Sequence, residues 1–133
     1  MSRRSSANED RVMAELRAFG AAYPGAHSKS PWPGHDDLAV NSKTFAYLSV
    51  EGEPFSMSVK LPFTGEEARS LPFARPAEYG LGKSGWVVFE PGADQMPPMR
   101  QLKSWLDESY RAQAPKKLVA LIPQDLLAQI RDE

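Results

Sequence analysis

The sequence predicts an α+β protein built as a two-layer sandwich, an antiparallel β-sheet with helices packed on one of its faces. Three observations lead there. Apolar residues repeat with helical spacing near the start, the repeat shortens to two between Leu38 and Leu61, and helical spacing returns after Pro98. At 133 residues the chain suits one domain with one core, withdrawing roughly two-thirds of its unfolded surface from water. A single domain over residues 1–133 is expected, with residues 1–7 as a flexible N-terminal tail.

The first helix spans Ala7 to Tyr23, where Val12, Leu16, Phe19 and Tyr23 fall on one stripe. Ser6 or Asn8 can cap it, Glu9 and Asp10 suit the positive end of its dipole, and Pro24-Gly25 stops it. Ala26 to Asp37, with Pro31, Trp32, Pro33 and Gly34, shows no sustained period and reads as a loop. A meander of three strands follows: Leu38 to Asn41, Thr44 to Val50, and the alternating run Phe55, Met57, Val59, Leu61. Ser42-Lys43 and Glu51-Gly52-Glu53 are short enough to be its turns. Thr64, with Glu67 three residues on, reads as the capping box of a brief helix ending near Leu71. Trp86 to Phe89 is a fourth strand, and its unbroken apolar run implies burial on both faces. Pro97-Pro98 opens a helix carrying Met99, Leu102, Leu106 and Tyr110 to about Gln113. Lys116 to Ile122 and a short helix after Pro123 complete the order α-β-β-β-α-β-α-α.

With no cysteine in the chain, disulfide frameworks, thiolate metal sites and cysteine nucleophiles are excluded. No leader-like apolar segment follows the basic start and no stretch is long enough to span a bilayer, so a cytoplasmic protein without a membrane role is expected. Sixteen Lys and Arg oppose seventeen Asp and Glu, so bulk charge selects no partner and any anion site must be local.

Gly80-Leu81-Gly82-Lys83-Ser84-Gly85 has the spacing of a dinucleotide loop, yet it leads into a strand rather than a helix, leaving no helix N-terminus for a pyrophosphate. It reads as a turn feeding that strand. His27 and His35, with Asp36 and Asp37, match no metal-ligand spacing and read as loop residues. Glu66 and Glu67 answer the helix dipole, and no serine has a nucleophile's setting. Neither a catalytic group, a metal site nor a cofactor is expected, and the chain reads as a non-enzyme. Trp86 and Trp105 are core anchors in the first instance.

Tyr23-Pro24-Gly25-Ala26, the Asn41-Ser42-Lys43-Thr44-Phe45-Ala46 hairpin, Gly82-Lys83-Ser84-Gly85-Trp86-Val87 and Ser109-Tyr110, in this order over about residues 7–122, resemble the MmcQ/YjbR family. The resemblance implies a CyaY-like fold and DNA binding through a double wing of β-hairpins. Carried onto this sequence, Lys43 stands in the family's glycine-lysine turn, where Ser42 replaces the glycine, and Lys83 and Trp86 stand in its second basic stretch.

The expected function is therefore a binding module that contacts DNA phosphates through Lys43, Lys60, Arg75 and Lys83, with Trp86 beside them. The alternative is a protein- or small-ligand-binding module that uses the exposed sheet face with Tyr47, Ser56, Ser58 and Lys60 and has no nucleic-acid role.

Overall fold

The computed structural model describes residues 4–29, 36–77, 84–92 and 94–130. Its elements run α1 (Ala7–Ala21), β1 (Ala26–Lys29), β2 (Asp37–Val40), β3 (Lys43–Leu48), β4 (Met57–Lys60), α2 (Gly65–Arg69), β5 (Ala74–Pro76), β6 (Trp86–Phe89), α3 (Met99–Gln113), α4 (Lys116–Val119) and α5 (Gln124–Ala128). The strands form one antiparallel sheet in the order β1-β2-β3-β4-β6-β5.

The α+β sandwich stands, with two strands more than the sequence pattern suggests. The stretch read as a loop from Ala26 begins with strand β1, and the stretch after α2 contains strand β5. Both lie at the edges of the sheet, where one row of backbone groups faces away from any partner strand. Pro76 is tolerated there because an edge strand need not donate on both sides.

Period-two patterning sorts the side chains. Met57 and Val59 of β4, with Val87 and Phe89 of β6, join Leu16, Phe19, Leu102 and Leu106 in one core between sheet and helices. Phe89 stacks on Trp105 at 4.1 Å between ring centroids. Ser58, Lys60, Trp86 and Val88 occupy the alternate positions and thus the opposite face. All four β6 residues are buried, as the apolar run implies.

A register shift between Leu38 and Ala39 places the extra residue, Phe45, in β3. Phe45 is fully buried with its ring edge-on to Tyr110, so it joins the helix side together with its neighbour Ala46. Tyr47 is returned to the other face.

The ends of the helices are fixed by side chains. Ser6 caps α1 in a reciprocal box with Glu9, and Ser5 N–H donates to the Gly52 carbonyl at 3.1 Å. Thr64 stands at the start of α2 but makes no capping bond there. Its hydroxyl donates to Glu108 Oε1 at 2.8 Å, while Glu108 Oε2 accepts from the Phe63 and Thr64 amides. The expected Thr64–Glu67 box is thus replaced by a carboxylate from α3, which offers two charged acceptor atoms where a hydroxyl offers one.

Candidate functional site

One end of the sheet collects most of the residues of interest. Antiparallel pairing brings together the end of β2, the start of β3, the end of β4 and the start of β6, because Val40 faces Lys43 and Lys60 faces Trp86. The β2–β3 turn consists of Asn41 and Ser42, with φ of 50° and 66°. Positive φ at both central residues gives the twist that a two-residue hairpin needs. The turn delivers Lys43 to the surface, where it is exposed. Beside it, Lys29 of β1 donates from Nζ to the Ser42 carbonyl at 3.2 Å.

Helix α4 reaches the same end. A Cβ on Gly25 would lie 3.1 Å from Leu118 and 3.7 Å from Val40, so Leu118 packs beside the residue paired with Lys43. Gly25 at φ +71° allows that approach without a side chain in the way. Lys116 and Lys117, on the turn before Leu118, are exposed. Among the described residues, Lys43, Lys116 and Lys117 make no ion pair.

The remaining sequence-derived residues are distributed less evenly. Lys60 is half-buried on the face opposite the helices, its backbone N–H held by Ser109 Oγ at 2.8 Å. Trp86 lies across from it at 4% exposure, with its ring 5.3 Å from that of Tyr47, too deep to meet a ligand itself. Arg75, on the edge strand, pairs with Glu90, both side chains about half exposed. An exposed ion pair of this kind is worth roughly 0–1 kcal/mol. Lys83 lies outside the described residues, as do Trp32, His35 and Gly80 to Gly82. The structure thus joins Lys43, Lys60 and Trp86 at one end and leaves Arg75 nearer the far edge.

Lys116 and Lys117 were not singled out from the sequence, because nothing between Pro115 and Pro123 shows where α4 docks. The only available signal was the pairing of two adjacent lysines with Leu118, a segment too short for an amphipathic pattern.

Among the described residues no three His, Asp or Glu side chains gather as a metal set, and no helix is long and apolar enough to cross a membrane. An open groove of about 250 Å³ runs between the start of α3 and Ile130, lined also by Pro98, Arg100, Gln101 and Ser104.

Comparison with known proteins adds the lineage. The YjbR family model matches residues 21–112, about two-thirds of the chain, from the end of α1 almost to the end of α3. The chain belongs to the YjbR family. The matched stretch contains Lys43, Lys60, Arg75, Lys83 and Trp86, whereas Lys116 and Lys117 lie beyond it. A solved YjbR-like fold is the crystal structure of Deinococcus radiodurans protein DR2400, which carries the family-model domain DUF419. It is 24% identical, covers 85% of this chain and 86% of its own, and superposes with a TM-score of 0.65. No curated protein matches the chain.

Proposed function

We propose that this YjbR protein is a non-enzymatic, cytoplasmic binding module that holds DNA by its phosphates at the lysine-rich end of the sheet. One observation carries the reading: Lys43, Lys116 and Lys117 stand exposed at a single end of the sheet, and none is neutralised by a described acidic side chain. The ammonium groups act as point charges that displace counterions, so binding is set by phosphate spacing and by salt more than by base sequence. This is why an overall charge of −1 does not oppose the reading, since counterion release depends on the local cluster.

The β2–β3 turn and the connection from Ala77 to Ser84 start and finish at this end, because Ala77 N–H donates to Trp86 O. In this reading the β2–β3 turn serves as one wing of the double wing that the family resemblance implies. Lys83 keeps the role that the sequence pattern gives it, Lys60 adds a secondary phosphate contact beside Lys43, and Arg75 on the edge strand would be reached only by a longer nucleic acid.

The test is a labelled duplex titrated at ~50 mM salt and above, followed by anisotropy. The Lys43→Ala/Lys116→Ala/Lys117→Ala variant is expected to lose affinity, and its dependence of log K on log salt to flatten by roughly 0.9 per phosphate contact removed. A wild-type protein that leaves the duplex free, or a triple variant that binds as the wild type does, overturns the reading.

A further inference from the structure

We propose that the sheet face turned away from the helices is a stacking platform for the bases of single-stranded nucleic acid, with Tyr47 as the ring on which a base lies. The proposal rests on the phosphate-binding reading above and names the form of nucleic acid that the site prefers.

The argument begins with the bulge at Phe45. Without it, strict alternation from Phe45 would set Tyr47 on the same side as that buried ring; with it, Phe45 and Ala46 serve the core and Tyr47 joins Ser58, Lys60 and Trp86. Tyr47 is opposite Ser58, and Lys60 is opposite Trp86, so the four residues form one contiguous patch on three neighbouring strands.

Within the patch the roles divide by burial. Trp86 is almost wholly covered, and its ring meets that of Tyr47 at 5.3 Å and 56°. It packs against the tyrosine ring from within the sheet face. Tyr47 remains partly open, so its ring can take a base with little further ordering to be done. Lys60 is half-buried, and among the described residues its ammonium has neither a hydrogen bond nor an ion pair; the Ser58 hydroxyl is likewise without one. A partly open aromatic ring packed on a second ring, a free cation and a free hydroxyl side by side match what a single strand offers: an unstacked base, a phosphate and a polar base edge.

A duplex cannot use this surface in the same way, since its bases are stacked on one another. A protein partner fits less well, because Val88, the other large apolar residue in the central part of this face, is 8% exposed and leaves little apolar area to bury.

The test compares a labelled oligothymidine of about twelve nucleotides with a labelled duplex, both at ~50 mM salt. The Tyr47→Ala variant is expected to weaken oligothymidine binding by roughly tenfold while duplex binding stays within about twofold. Tyr47→Phe, which keeps the ring, should bind both as the wild type does. Tyr47→Leu, which keeps apolar packing on Trp86 but has no π face, replaces the alanine variant if that one does not fold. Lys60→Gln should lower the salt slope for oligothymidine by roughly 0.7. Full oligothymidine affinity in a folded Tyr47→Ala or Tyr47→Leu protein overturns the platform and leaves the phosphate reading in place. A wild-type protein that binds neither probe removes both.

Discussion

The hydroxyl of Ser109 donates to the carbonyl of Phe45 at 2.5 Å, on the strand residue that the bulge leaves out of the ladder. The same oxygen accepts the backbone N–H of Lys60 at 2.8 Å. A bulge frees a carbonyl on one strand and an amide on the next, and here one buried side chain from α3 satisfies both. The helix is thereby keyed to the sheet at the point where Tyr47 and Phe45 are sent to opposite faces. Removing the hydroxyl strands two polar groups, so Ser109→Ala is expected to lower stability by about 1–3 kcal/mol. Urea unfolding measures it, and an unchanged midpoint would show that the bulge needs no such bridge.

Glu9 ties α1 to the β3–β4 connection. It is 1% exposed, accepts from Ser6 N–H at 3.0 Å and from Phe55 N–H at 2.8 Å, and completes the cap of its own helix. Glu9→Ala removes half of a capping box and leaves the Phe55 amide unpaired in a buried setting, for a combined cost of about 2–4 kcal/mol. Glu9→Gln keeps one acceptor oxygen and should recover part of that. Amide hydrogen exchange at Phe55 separates the two, with faster exchange expected in the alanine variant.

How much of this was legible in the sequence follows from the range over which each feature is decided. The stripe of Val12, Leu16, Phe19 and Tyr23 and the alternation of Phe55, Met57, Val59 and Leu61 are local periods, and both elements were readable from them. Strand β1 has the sequence Ala-His-Ser-Lys, with its middle residues exposed at a sheet edge, so burial imposed no pattern on it. Strand β5 is three residues long and includes a proline. The bulge is decided by contacts between Phe45, Ser109 and Tyr110, more than sixty residues apart, and no local window contains that information. Likewise Lys43 could be placed at a turn, whereas Lys116 and Lys117 join it only through the packing of Leu118 beside Gly25.

Ser42 carries a conformational cost that a single substitution can test. Its φ of 66° is the left-handed region, where a Cβ costs roughly 1 kcal/mol and glycine pays almost nothing. Ser42→Gly is therefore expected to raise stability by about 0.5–1 kcal/mol, less whatever the more flexible unfolded chain takes back. Lys43 keeps its place in the turn, so the proposed duplex binding predicts no change in affinity. A lower melting temperature would mean that the serine side chain contributes more to the turn than its strain costs.

Alkaline pH probes the polar centre beneath α3. Tyr23 donates to Asp107 Oδ1 at 2.6 Å, and Arg111 Nε donates to Asp107 Oδ2 at 2.7 Å. Burial, followed by the bond and the repulsion from the Asp107 carboxylate, keeps the Tyr23 phenol protonated well above its ordinary value of 10.0. Burial moves Tyr110 in the same direction, its hydroxyl donating to the Pro24 carbonyl. Both phenols hold their protons more tightly in the folded chain than in the unfolded one. Their contribution is therefore complete below about pH 10, and above it the unfolded state loses protons first, so stability falls by up to about 1.4 kcal/mol per pH unit for each phenol. Tyr23→Phe removes one of the two groups. It should cost about 1–3 kcal/mol at neutral pH, where the charge-assisted bond is lost, and should make the decline above pH 10 shallower. Urea midpoints taken through the alkaline range for both proteins decide it: curves that run parallel to each other would mean that the Tyr23 phenol is not the group responsible.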